Sequence, residues 1–345
     1  MSTQPLAIVG SGMVTGVGLT APSSCAAIRC AVDNFQETRF MDAGGEWIVG
    51  GSVSLEEPWR GTNKLIKMLA CVLTECIKID SQLNLADTPV LLCLAEEDRP
   101  GRLPDLENRV FIGIQQELNT RFHEKSAFIA QGRVSITLAL QHARQLIYQE
   151  KLPNVVIVGV DSLLAAQTLK SFEERERLLT SQNSNGFIPG EAAAAVLVQA
   201  AKGQGGLTCN GLGLGMENAT VNSEDVPLRA DGLVAAIRGA LSEAGCDMGA
   251  TDFRITDVSG EQYAFKETAL ALLRILRQRK VFYDLWHPAD CIGEVGAAIG
   301  PVMLAVLLAA GQKSYLMGND ILAHLSNDAG KRAAMMLTYR PMGAA

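Results

Sequence analysis

Residues 154–164 read NVVIVGVDSLL and residues 185–198 read NGFIPGEAAAAVLV. Each holds a continuous apolar run bounded by Asn, Gly, Pro or Asp, the pattern of a strand covered on both faces rather than of an amphipathic helix. Similar runs occur upstream at LAIV (6–9), PVLLCLA (89–95) and SAFIA (126–130), with helical periodicity over 23–34, 103–120 and 133–150. Downstream, FRITDV (253–258), DILAHL (320–325) and AAMMLTY (333–339) alternate with helical segments at 230–244, 264–279 and 295–310. The alternation predicts an α/β protein with a mostly parallel sheet. The second series looks like a shortened copy of the first, which predicts two halves, 1–204 and 205–345, joined at the glycine-rich KGQGGLT (202–208).

Composition narrows the function classes. The chain has 345 residues, 48% of them hydrophobic and 19% charged, enough to bury a large core without disulfide support. Its net charge of −7 has the wrong sign for a nucleic-acid or anionic-membrane surface. The apolar stretch 295–310 is broken by Pro301 and falls short of the ~20 residues that span a bilayer, so it reads as a buried helix. Eight cysteines (25, 30, 71, 76, 93, 209, 246 and 291) lie mostly in apolar segments and lack CxxC spacing, which predicts buried reduced thiols and no metal site. No basic flank or cleavage box opens the chain, and the expected location is cytoplasmic.

Gly10, Gly12 and Gly16 follow a strand and precede a helix, a superficial match to a dinucleotide fingerprint. The spacing is GxGxxxG, and no acid ends a second strand, so these glycines are expected to turn the chain after the first strand, and no cofactor is expected.

Four stretches in order resemble the β-ketoacyl synthases: LAIVGSGMVTGVGLTAPSSCAAIRCAVDNF (6–35), the 154–198 region quoted above, DVSGEQYAFKETALAL (257–272) and CIGEVGAAIGPVMLAVLLAA (291–310). The resemblance implies a thiolase-like fold of two pseudo-repeated βαβαβαββ-type halves in an α/β/α/β/α layered arrangement. It also implies a condensing site in which a cysteine at the N-terminus of a buried helix carries the acyl group. Two basic groups, His with His or His with Asn, then drive decarboxylation and stabilise the oxyanion.

This chain departs from that pattern at each catalytic position. The elbow SAFIAQGRVSITLALQHARQLI (126–147) has no Cys. Matching the apolar positions of its helix puts Arg133 at the nucleophile position, with Gln131 and Gly132 as the alternatives if the register slips; a Gln would resemble decarboxylating relatives that carry glutamine there. The first histidine position falls on Ser259 and the second on Gly293, flanked by Cys291 and Glu294, while the loop SNDAGKRAA (326–334) keeps only Gly330. Ser is no base near neutral pH. A relocated nucleophile would have to come from Cys291 with His287.

The expectation is a β-ketoacyl synthase-like protein that has lost condensing activity and acts as a binding or accessory module. The alternative is an active acyltransferase or decarboxylase with altered catalytic residues. Expected partners are a second copy, paired through strand Ser126–Ala130, and an unidentified protein. Acyl carrier protein or acyl-CoA is implied more weakly; the cations Arg274, Arg277, Arg279 and Lys280 would suit an acidic carrier protein in a functioning synthase, but better suit the C-terminal dipole of their own helix. Degenerate synthase-like proteins occur in bacteria beside type VI secretion, lipid and polyketide genes, so the resemblance implies a bacterial setting of that kind.

Overall fold

The apolar runs become strands whose alternate residues serve two different cores. The computed structural model describes residues 4–79, 83–203, 205–223 and 225–341, so the expected boundary at residue 204 lies outside the described residues. The chain runs β1 (Leu6–Val14), α1 (Ala21–Arg29), β2 (Gln36–Met41), β3 (Trp47–Gly50), α2 (Gly61–Ile77), β4 (Val90–Leu94), α3 (Leu106–Glu117), β5 (Ala127–Ala130), α4 (Ser135–Tyr148), β6 (Val155–Ser162), α5 (Ala166–Glu174) and β7 (Glu191–Ala200). It continues through β8 (Gly206–Met216), α6 (Asp231–Ala244), β9 (Phe253–Thr256), α7 (Gln262–Ile275), β10 (Leu285–Trp286), α8 (Ala289–Ile292), α9 (Ile299–Gln312), β11 (Asp320–Ser326) and β12 (Lys331–Arg340).

Apart from the β2–β3 hairpin, the strands hydrogen-bond in the order β10-β9-β11-β12-β8-β1-β7-β6-β4-β5. From the middle outward, β1-β7-β6-β4-β5 and β8-β12-β11-β9-β10 are the same series, two antiparallel steps followed by two parallel ones. The sheet is therefore mixed, not mostly parallel as expected, because β6 to β7 and β11 to β12 reverse direction instead of crossing over. The two sets join where Leu6–Ile8 of β1 pairs with Leu207–Cys209 of β8.

Layering follows from the pleat. In β4, Val90, Leu92 and Leu94 pack with α2 and α3, while Leu91 and Cys93 face a central core built on α4 and α9. In β12, Ala333, Met335 and Leu337 face that same central core, while Ala334 and Met336 pack with α6 and α7. Helices thus cover both outer faces and fill the middle, the five-layer α/β/α/β/α arrangement, and strands buried on both faces carry no polar alternation. The central helix α9 is buried almost all round, and Pro301 sits in its first turn, where the missing N–H has no intrahelical partner to lose.

Several local expectations are corrected. Gly10 and Gly12 lie inside β1 rather than in a turn: a Cβ at Gly12 would stand 2.3 Å from Val72 O of α2, so these glycines admit a close helix. The glycine-rich 206–216 is strand β8, in which Gly211, Gly213 and Gly215 let α6 approach to about 2 Å of where their Cβ atoms would be. α2, α5 and the β2–β3 hairpin are additional elements, and the segment expected as a helix over 264–279 ends at Ile275. Cys30 and Cys71 are exposed rather than buried, and all eight cysteines are free. Among the described residues, no helix is long and apolar enough to cross a membrane.

Candidate functional site

Two elbows with the same backbone meet at the centre of the molecule. Between β5 and α4, Gln131 (φ −125°, ψ 16°) precedes Gly132 (φ +56°) and a 3₁₀ turn; before α9, Val295 (φ −117°, ψ 19°) precedes Gly296 (φ +52°) and another. Both glycines occupy the left-handed region that disfavours other residues, and each is roofed by a carboxylate, Glu96 over Gly132 and Asp161 over Gly296. Just beyond, α4 and α9 cross so closely that a Cβ on Gly300 would lie 2.3 Å from Ile136 Cγ2.

Arg133 follows the first elbow glycine, and its guanidinium is almost wholly buried at 14% side-chain exposure. Nη1 donates to Glu294 Oε2 (2.8 Å), Nη2 donates to Asp328 Oδ1 (2.9 Å), and Nε lies 3.5 Å from Asp257 Oδ2. Ser259 Oγ donates to the same Glu294 Oε2 (2.9 Å), and Glu294 Oε1 accepts from the Gly296 N–H (2.9 Å). One arginine therefore ties together the Asp257–Ser259 loop, the loop before α9 and the Asn327–Gly330 turn. Two of these segments are where the sequence resemblance puts the two histidine positions, Ser259 and Gly293, and the third is the loop that keeps Gly330.

A second arginine closes the arrangement. Arg177 forks onto Glu261 through Nε and Nη2 (2.7 Å each) and donates from Nη1 to Asp328 Oδ2 (2.5 Å). Arg332, 1% exposed, pairs with Glu267 (2.8 Å), donates to Tyr263 Oη (2.8 Å) and holds Asn327 O (3.0 Å), which fixes the turn from behind. On the far side Arg99 forks onto Asp161 (2.7 and 2.5 Å), whose Oδ2 also accepts from the Ala297 N–H (3.0 Å). Burial pushes the Asp328 carboxyl up, but Arg133 and Arg177 outweigh it and hold it below the usual range. For Asp257 and Glu96 burial wins over Arg133 and Arg99 respectively, and both carboxyls sit above their ordinary values.

The other residues singled out in the sequence are placed as follows. Gln131 turns toward β12, where its Oε1 accepts from Lys331 Nζ and its carbonyl from Asn327 Nδ2. Gly293 has φ +76°, and a Cβ there would stand 2.7 Å from Ile188 O, so the position has no room for an imidazole. Cys291 and His287 do not form a pair. The Cys291 thiol faces Ile28 O at 4.0 Å and burial pushes it up to about 11, while His287 Nδ1 lies 2.9 Å from Asp290 Oδ1 without hydrogen-bond alignment. Sequence reading missed Arg177, Arg99 and Glu96 altogether. Asp257, Glu261, Glu267, Glu294, Asp328 and Arg332 stood inside quoted stretches, but of these only Glu294 was singled out, as a neighbour of the second histidine position.

What remains open at the centre is a cleft of about 210 Å³ walled by Glu96, Arg99, Arg133, Arg177, Glu294 and Asp328. That is smaller than the roughly 300–1,000 Å³ of ordinary ligand sites, and its walls are largely charged rather than apolar. On the Ser259 side only about 20 Å³ is left. A larger cleft, about 720 Å³, lies beyond the Arg99–Asp161 pair, between the β2–β3 hairpin, the start of α2 and α5. Among the described residues no group of three His, Cys, Asp or Glu side chains is arranged to hold a metal ion.

The sequence matches no protein-family model and none of the curated proteins. Solved structures do match in shape over nearly the whole chain. A type II PKS acyl-carrier protein in complex with its ketosynthase bound to the hexaketide gives a TM-score of 0.79 at 13% identity, covering 98% of this chain and 100% of that one. A ketosynthase in complex with its chain length factor from Xenorhabdus doucetiae gives 0.72 at 12% identity, with 98% of each chain covered. A β-ketoacyl synthase from Burkholderia phymatum gives 0.74 at 11% identity, covering 98% and 100%. The fold of this chain is the thiolase-type fold of the ketosynthases.

Proposed function

We propose that this protein is a non-catalytic ketosynthase-fold subunit that works by binding another protein. The observation that carries this reading is Arg133: at the elbow where the resemblance expects a nucleophilic cysteine, a cation is linked to Glu294, Asp328 and Asp257. A guanidinium is no acyl acceptor, and neither Gln131 nor Gly132 beside it supplies a thiol. The second histidine position is sterically closed at Gly293, and Ser259 is committed to Glu294. Oxyanion and enolate stabilisers contribute ~3–4 kcal/mol each, so a site lacking the thiol and both bases works near background.

The expected partner surface is the open edge of β5, which pairs with β4 on one side only and leaves Phe128 46% exposed. A second copy, or a catalytic ketosynthase chain, would continue the sheet there, as one of the similar structures is an assembly of a ketosynthase with its chain length factor. A bacterial, cytoplasmic setting near secretion, lipid or polyketide genes belongs to the same proposal.

Intact-protein mass spectrometry after incubation with acyl-CoA, acyl carrier protein and malonyl thioester tests the loss of chemistry. The expected result is no adduct and no decarboxylation above the buffer rate. An acyl group mapped to Cys291 would sink the non-catalytic reading and restore acyl transfer.

A further inference from the structure

The cleft of about 720 Å³ between the β2–β3 hairpin, the start of α2 and α5 has the size of a small-molecule site, and it touches the cluster around Arg133 through the Arg99–Asp161 pair. The buried acids on its wall are spent. Asp161 accepts from four donors, both Arg99 Nη atoms and the Ser162 and Ala297 N–H groups. Glu191 also accepts from four, Ser52 Oγ (3.1 Å), the Val53 N–H (2.9 Å), Lys64 Nζ and Ser162 Oγ (2.8 Å). A carboxylate offers about four lone-pair sites, so neither has one left for an occupant.

The cations lining the same cleft are not spent. Arg102, 11% exposed as a side chain, gives Nη2 to Glu107 and Nε to Ala95 O (3.3 Å), and its Nη1 meets no acceptor among the described residues. Lys64 Nζ uses two of its three protons, on Glu191 and on Ser52 Oγ (3.4 Å). α2 begins on this wall at Gly61 with no side chain capping its first N–H groups and no acid in its first turn, which adds donors of the same sign. The rim acids Glu37, Glu56 and Glu57 are exposed, as are the rim cations Arg39 and Arg60, so water and salt screen them and the unspent inner donors set the preference. The rest of the lining is apolar and partly aromatic, with Phe40, Trp59, Leu65, Leu103, Leu106 and Leu164.

We propose that this cleft binds an aromatic acid, a small molecule with a carboxylate or phosphate head on a flat apolar body. Arg102 and Lys64 supply the charged donors for the head, and Trp59 and Phe40 with the leucines around them pack the body. A cationic head finds no acceptor inside, since both buried carboxylates are saturated, and a wholly apolar occupant would seal off the free Arg102 amine without a partner. The cleft lies on the other side of the Arg99–Asp161 pair from the elbow, so the site stands whether or not the elbow turns over thioesters.

The test is isothermal titration of the full chain with 2-naphthoate, 2-naphthyl phosphate, the neutral 2-naphthamide, and undecanoate, a chain acid of the same carbon count as 2-naphthoate. Both naphthyl anions are expected to bind about tenfold or more tightly than the amide, and undecanoate more weakly than 2-naphthoate. The head that binds more tightly, carboxylate or phosphate, names the class of natural ligand. Arg102→Gln made together with Glu107→Gln, so that no carboxylate is left unpaired, should weaken both anions by about tenfold or more and leave the amide unchanged. Trp59→Leu should weaken all three naphthyl probes while melting with the wild type, since the ring is only half-buried. The comparison of acid with amide is made on the wild type and does not depend on the folding of either variant. Absence of binding by both anions, equal binding of the amide, or affinities unchanged in both variants overturns the proposal. Tighter binding of undecanoate than of 2-naphthoate also overturns it and assigns the cleft to acyl chains.

Discussion

Arg133 is held by carboxylates that come from residues 257, 294 and 328, and two of them are buried with it: Asp257 and Glu294 are 2% and 6% exposed as side chains, Asp328 35%. Removing the cation alone strands those charges. Arg133→Met should therefore cost roughly 3–5 kcal/mol in urea unfolding, the range for breaking a buried pair from one side. Neutralising the partners at the same time, with Glu294→Gln and Asp328→Asn, should recover most of it, because a buried ion cluster is close to neutral against uncharged groups of similar volume. An Arg133→Met cost below about 1 kcal/mol would mean the cluster is not what holds the loops. The apolar spacing of α4 singled out Arg133 in the sequence, with Gln131 and Gly132 as the other registers. The partners of Arg133 were not legible, since Glu294 and Asp328 lie 161 and 195 residues away and a lone carboxylate in a loop carries no periodic signal.

At the scale of elements, what was legible followed burial. β4, β6 and β7 are sealed on both faces and read as unbroken apolar runs, whereas β8 hides behind the glycines that α6 requires. The helix α2 carries a signal as well, Leu65, Met68, Leu69, Val72, Leu73 and Cys76 at helical spacing. β5 is the element on which assembly turns. Its Phe128 and Ile129 sit on a short edge with no Pro or charge to blunt it, so an unpaired edge would aggregate. Light scattering at micromolar concentration should show a dimer, and Phe128→Asp should weaken it on the order of 100-fold by placing a charge at the pairing centre. A monomeric wild type would remove the second copy as partner and leave a different ketosynthase-fold chain to fill the edge.

For the whole molecule, the two halves repeat one another in topology yet share one core. The central cluster takes Leu91, Ala139 and Val155 from the first half and Val302, Phe253 and Met335 from the second, so neither sheet is covered on its inner face without the other's helix. Ion pairs lie across the same divide, with Arg133 and Arg177 of the first half held by Asp257, Glu261, Glu294 and Asp328 of the second. Separating the halves would expose α9, buried almost throughout, and leave several carboxylates without cations. The repeat is therefore a feature of architecture and not of independent folding units, and unfolding should be a single cooperative step. Pulsed hydrogen exchange read by mass spectrometry across a urea series checks this on the intact chain. Peptides from β4 and β6 should lose protection at the same urea midpoint as peptides from β9 and β11. Two separated midpoints would show that each half holds its own core and that the Arg133 cluster is a contact between domains.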